Sequence, residues 1–196
     1  LGRRQHARRG LLRVRDRVLH HAVFKILNPI FESTFITHSF SCREGKGTHK
    51  AVGALERYLR KTSRNYRSQC FALKCDIHQF FASVDHAILL SILGRMIKDV
   101  DVIWLLKEIV GSFRTPEYPD DERKGIPIGN LTSQLFANLY MNEFDQFMKQ
   151  QLRVKQYVRY TDDFIMVSAD KSDLEKLLPP MRDFLREELR LSLHPR

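Results

Sequence analysis

The sequence predicts an α+β fold, a small antiparallel sheet with helices packed on one face. Three observations carry this. "FALKCDI" alternates cleanly, with Phe71, Leu73, Cys75 and Ile77 on one face and Lys74 and Asp76 on the other. "QYVRY" and "FIMVSA" are strand-like runs joined across Thr161–Asp163, the pattern of a hairpin. The segments around these runs place apolar residues every three or four positions, as amphipathic helices do.

Taken in order, residues 1–17 are Arg-rich and read as strand or extended loop, in which Arg13, Arg15 and Arg17 share one side. "RDRVLHHAVFKILNPIF" is helical through Val18, Leu19, Ala22, Val23, Ile26 and Leu27, with Asn28-Pro29 as its expected end. His20 and His21 read as packing or hydrogen-bonding residues. Thr48 is a good N-cap for a helix reaching about Lys61. "DHAILLSILGRMIK" and "DVIWLLKEIVGSF" form two helices, followed by the polar loop "RTPEYPDDERKGIPIGN". "LTSQLFANLYMNEFDQFMKQQL" is a long helix. "DKSDLEKLLPPMRDFLREELR" is another, with an interruption expected at Pro179-Pro180, and "LSLHPR" reads as a short strand and turn.

A chain of 196 residues, 43% hydrophobic, buries a real core as one domain, with or without a smaller subdomain. Charged residues make up 29%, and no apolar run approaches the roughly 20 residues that span a bilayer. The start, "LGRRQHARRG", lacks a Met and an apolar leader, so the expectation is a cytoplasmic chain whose first residues are missing. Cys42, Cys70 and Cys75 form no CxxC pair and read as reduced core thiols. The net charge of +10 is uneven: residues 1–67 hold 16 Lys/Arg against four Asp/Glu, and the remainder holds 17 against 19. A polyanion, most often nucleic acid, is the natural partner for such a segment; a solvated basic face is the plain alternative.

Asp162 and Asp163 stand side by side between apolar runs, where like charges repel and lose hydration. Mg²⁺ binds through one or two carboxylates plus phosphate oxygens, and paired ions suit phosphoryl chemistry. Asp76 would converge with Asp162 if their strands were neighbours. Alone, an Asp-Asp in a turn is more often turn chemistry, and Asp76 a solvent-facing strand residue.

The surrounding residues resemble the reverse transcriptases. "YTDD" is similar to their Tyr-x-Asp-Asp box, and "LKCDIHQFF" to the strand carrying their first metal-binding Asp. "GIPIGNLTSQLFANLYMNEFDQF" resembles their template- and nucleotide-positioning loop and helix. "RVRDRVLHHAV" and "CREGKGTHKAV" resemble fingers motifs of group II intron and retroelement enzymes, and "LRLSLHPR" the segment after the last palm helix. Most relatives place Gln before the loop glycine. Here Ile128-Gly129-Asn130-Leu131-Thr132-Ser133-Gln134 resembles the diversity-generating retroelement enzymes, whose cDNA is error-prone at template adenines.

The resemblance implies a right-hand polymerase: partial fingers in 1–67, then a palm with a ferredoxin-like sheet in 68–196, with inserted helices over 85–124 and the thumb absent. It implies two Mg²⁺ ions, with Mn²⁺ as a substitute, on Asp76, Asp162, Asp163 and the Ile77 backbone carbonyl. Phe81 would be the steric gate against a ribose 2′-OH; its alternative is a core Phe. Arg13, Arg15 and Arg17 would meet the triphosphate, template backbone or solvent. Ile128, Gly129 and Gln134 would line the nucleotide, with Gln134 touching the template base or bracing the loop. Arg43, Lys46 and Lys50 would track template or hold the fingers, and Tyr160 would lie against nucleic acid. Implied partners are template RNA, a DNA or RNA primer, dNTPs and a basic barrel-forming accessory protein, with no membrane. The rivals are a group II intron-like, retron-like or phage-defence reverse transcriptase, and a non-catalytic nucleic-acid-binding palm.

Overall fold

The computed structural model describes residues 14–113 and 123–194. Arg13, the extended reading of the first residues and most of the polar loop after Phe113 lie outside them. The elements run α1 (Val14–Glu32), α2 (Thr48–Thr62), β1 (Phe71–Cys75), α3 (Phe80–Ser83), α4 (His86–Met96), α5 (Val100–Gly111), α6 (Leu131–Gln146), β2 (Tyr157–Tyr160), β3 (Asp163–Ser168) and α7 (Lys171–Leu189). A π-helical turn, Phe147–Gln151, prolongs α6.

The sheet order is β1-β3-β2, antiparallel throughout. Cys75 pairs with Phe164, and Tyr160 with Asp163 across the hairpin. Single bridges widen both edges, Ile77 to Leu193 beside β1 and Ser39 to Arg159 beside β2. The expected terminal strand is thus one bridging residue.

Helices cover both faces of the sheet, not one. Tyr157, Phe164 and Met166 face α6 and α7 in the main core, whereas Val158 packs with Phe40, Ala51 and Ala54 under α2. Strand β2 is therefore buried on both sides, and no polar-out alternation survives in it. Helix α6 is buried nearly all round, as a helix enclosed by α1, α4, α7 and the sheet must be.

Two expected helix ends are not ends. α1 begins before Arg15 and runs through Pro29, which sits on the exposed side, so that Phe31 reaches the core. α7 is continuous through Pro179 and Pro180. Burying Leu174, Met181, Leu185 and Leu189 stabilises it by about 1.5–3 kcal/mol per side chain, enough together to offset roughly 3 kcal/mol per proline. The N-cap of α2 is Gly47 rather than Thr48, because the capping residue has φ 106°, a conformation that favours glycine.

Smaller contacts tie the layers. Asp85 caps α4 through Ala87 N–H and Ile88 N–H and accepts from Arg190 at 2.7 Å. Tyr140 Oη donates to the Leu189 carbonyl and accepts from Asp85 N–H. Among the described residues no disulfide joins the three cysteines, and only Cys75 lies in the core; Cys42 is exposed. Buried His20 hydrogen-bonds Thr132 through Nδ1, whereas its neighbour His21, one step round the helix, faces solvent. Among the described residues no helix is long and apolar enough to cross a membrane.

Candidate active site

The three acidic residues fall in one neighbourhood because β1 and β3 are adjacent. With Cys75 paired to Phe164, Asp76 falls beside Asp163, one residue beyond the last pair. Thr161 and Asp162 form the two-residue connection of the hairpin. Desolvation, then the charges of Asp76 and Asp163, push the Asp162 carboxyl above its ordinary range; its own backbone N–H and Arg159 pull the other way. Asp163 is held by Lys74 at 3.0 Å, both partly exposed.

The acidic groups share one field without forming a finished coordination shell. Among the described residues no three His, Cys, Asp or Glu side chains are gathered closely enough to hold a metal ion. The donors still fit a hard divalent cation: carboxylate oxygens, mutually repelling, with a flexible lysine supplying part of the opposing charge.

The strand end beside Asp76 is braced by residues 192–194. His194 N–H donates to the Asp76 carbonyl at 2.8 Å and His78 N–H to the Ser192 carbonyl at 2.9 Å. In that pattern Ile77 is the non-hydrogen-bonded partner of Leu193, so its own carbonyl points away from that segment.

Phe80 is the ring that enters the core, leaving Phe81 half-buried with its ring edge-to-face at 5.3 Å. Ile126 N–H donates to the Phe81 carbonyl, which ties the 123–130 loop to this corner. Ile128 there is 81% exposed. Gly129 has φ 102°, and open space where a Cβ would stand, so backbone conformation and not crowding within the chain calls for glycine. Gln134 is half-buried in the first turn of α6.

The basic residues divide. Arg15 and Arg17 are exposed on α1; two positions on a helix are about 200° apart, so they do not share one side as an extended segment would allow. Arg43 is an internal brace, donating to the Ile36 and Ser39 carbonyls and paired with Glu32 at 2.7 Å. Lys46 caps the Thr37 carbonyl and Lys50 the Gly45 carbonyl, each at the surface. Tyr160 is partly exposed, its hydroxyl accepting from Thr48 at 3.2 Å.

Sequence reasoning missed a buried network beneath the turn. Arg159 and Asp145 are fully buried and joined by a forked pair, Nε to Oδ1 at 2.9 Å and Nη2 to Oδ2 at 2.7 Å. Tyr157 Oη donates to the same carboxylate at 2.7 Å. The available signal was an arginine at an inward strand position and an aspartate within an apolar helix.

The comparisons agree with this architecture. The family profile described as "Reverse transcriptase (RNA-dependent DNA polymerase)" matches residues 4–196. The chain belongs to that family. Among curated relatives, Protein YkfC of Escherichia coli is 26% identical over 94% of this chain and 57% of its own length. The group II intron-encoded protein LtrA of Lactococcus lactis is 25% identical over 93% of this chain and 27% of its own. The chain therefore spans about half of the first relative and about a quarter of the second. Of solved structures, the apo telomerase of Candida tropicalis superposes with TM-score 0.63 at 10% identity, over 90% of this chain and 35% of that one. The same telomerase with a fragment of telomeric RNA gives 0.63 at 12%, over 92% and 32%. At such identities the likeness is one of fold, and it matches a palm-like α+β unit.

Proposed function

We propose that the protein is an RNA-directed DNA polymerase that extends a DNA or RNA primer on template RNA. The carrying observation is the β1–β3 adjacency, which sets Asp76 beside Asp163 and within the field of Asp162. In this reading Asp76, Asp162, Asp163 and the Ile77 carbonyl hold two Mg²⁺ ions, with Mn²⁺ as a substitute. When bound, the ions would lower the pKa of the attacking hydroxyl and offset the negative charge on the leaving pyrophosphate. The chain's own part is placement. The hairpin presents Asp162, β1 presents Asp76, and Lys74 steadies Asp163.

Residues 1–67 act as fingers and 68–196 as palm, with helices inserted over 85–124. Phe81 stands at the corner where a 2′-OH would be refused. Exposed Ile128 with Gly129 faces the nucleotide, and Gln134 braces that loop or meets the template base. Arg15 and Arg17, with Arg13 ahead of them, offer guanidinium forks to phosphate. Lys46, Lys50 and Tyr160 line the template path, and Arg43 holds that path's shape. Backbone grip of this kind tolerates any sequence and weakens steeply with salt.

The Ile128–Gln134 segment supports the error-prone enzyme of a diversity-generating retroelement, working in the cytoplasm with a basic accessory protein. The likeness to the intron-encoded protein supports a second reading, a group II intron-type enzyme. Primer extension on RNA followed by cDNA sequencing tests both levels. Extension supports the polymerase, and errors concentrated at template adenines that fall in Ile128→Gln support the first subfamily. Uniform errors favour the second, and no extension sinks the polymerase reading.

A further inference from the structure

Thr161 is the outlier of the hairpin. It is β-branched, yet its φ is 56°, in the left-handed region where such residues are uncommon. A turn of this length ordinarily places glycine, asparagine or aspartate at a positive φ. A strained residue persists only where its surroundings over-determine it, and those surroundings are visible on both sides of Thr161. Its carbonyl accepts from Arg159 Nη1 at 2.8 Å. Its hydroxyl donates to Ser41 Oγ at 2.6 Å.

Each of these partners is itself fixed. The remaining nitrogens of Arg159 are spent on Asp145, and Nη1 also reaches Asn138 Oδ1 at 3.2 Å. Asn138 turns its own amide onto the Ser41 carbonyl at 2.9 Å, so one α6 side chain links both hands of the clamp. On the outer edge, Arg159 N–H donates to the His38 carbonyl and Phe40 N–H to the Arg159 carbonyl, while Arg43 holds the Ser39 carbonyl and hydroxyl. The loop 38–43 and helix α6 thus converge on the one residue that precedes Asp162.

We propose that Arg159 and Ser41 are positioning residues, a two-sided lock on Thr161 that aims the Asp162 carboxylate and couples its placement to the 38–43 loop. The lock rests on the polymerase reading only for its consequence, the ordering of a metal-binding carboxylate. Lysine cannot replace the arginine. A single ammonium can pair with Asp145, but it lacks the planar fork that reaches Asp145 and the Thr161 carbonyl together.

The test compares wild type, Arg159→Lys and Ser41→Ala by amide hydrogen exchange at residues 161–163, by Mn²⁺ binding followed in electron paramagnetic resonance, and by melting temperature. The expected result is exchange at the turn faster by at least about tenfold in both variants, with the β1–β3 amides unchanged. Half-occupancy by Mn²⁺ shifts upward by about tenfold, the scale of a lost residue supporting a metal ligand. A lower melting temperature with unchanged exchange at the turn overturns the lock, because that is what a merely structural network gives. If wild type binds no Mn²⁺ while both variants still loosen the turn, the lock stands and the metal reading falls. Should Arg159→Lys fail to fold, Ser41→Ala reads the other hand of the clamp, and unchanged exchange there overturns the proposal by itself.

Discussion

Two carboxylate sites lie one above the other in this molecule, and they are treated in opposite ways. Asp145 is fully buried and completely partnered, by a forked guanidinium and a tyrosine hydroxyl. Asp162, linked to the first site through Arg159 and Thr161, is left half-buried among like charges. A buried charge without a partner costs several kcal/mol, so the fold answers Asp145 in full. Among the described residues, the ion pair given to Asp76, Asp162 and Asp163 is that of exposed Lys74, with buried Arg159 acting on Asp162. Complete pairing marks a group that holds structure. Repulsion left standing marks a place where a cation can be accepted.

This contrast can be broken most sharply at its buried end. Asp145→Ala strands the Arg159 charge in the interior and is expected to cost about 3–5 kcal/mol in urea unfolding. A loss below about 1 kcal/mol would show that the pair is solvated and the contrast unfounded. Next in size is Asp85→Ala, which removes the α4 cap and the partner of Arg190, with an expected loss of about 0.5–2 kcal/mol by the same measurement.

The Asp162 end is tested by acid titration of stability. Its carboxyl is raised, so between the unfolded value and the raised folded value the native chain binds more protons than the unfolded one. Stability from this group is therefore present below that window and falls as pH rises through it. Asp162→Asn removes the charge and is expected to raise the melting temperature at neutral pH, with a smaller gain at pH 4. An equal or larger gain at pH 4 would reverse the sign of the argument. The smallest effect belongs to Lys74→Ala. Its exposed ion pair contributes less than about 1 kcal/mol, so melting should barely change, and a large drop would mean that Asp163 is paired as firmly as Asp145.

Much of this was legible beforehand because it rests on periodicity and motif order. The alternation of 71–77 and the hairpin at 161–163 appear where the pattern put them, and Asp76 does lie beside that hairpin. The misreadings have physical causes. Local proline rules placed breaks at Pro29 and Pro179-Pro180, where tertiary burial of Phe31 and Met181 outweighs them. Alternating arginines suggested an extended segment, but two-residue spacing in a polar run carries no burial signal, and Arg15 and Arg17 are helical. The second face of the sheet was hidden because α2 and β2 meet only in three dimensions. The Arg159–Asp145 pair escaped for the same reason, its members lying on different elements.

The proposed function requires that the unrelieved cluster, and not the satisfied one, does the chemistry. Mg²⁺-dependent primer extension on RNA by wild type and Asp162→Asn tests it most directly. The expected result is cDNA from wild type and a loss on the order of 10³-fold or more in a variant that is folded and melts higher than wild type. Undiminished cDNA synthesis by folded Asp162→Asn would contradict it.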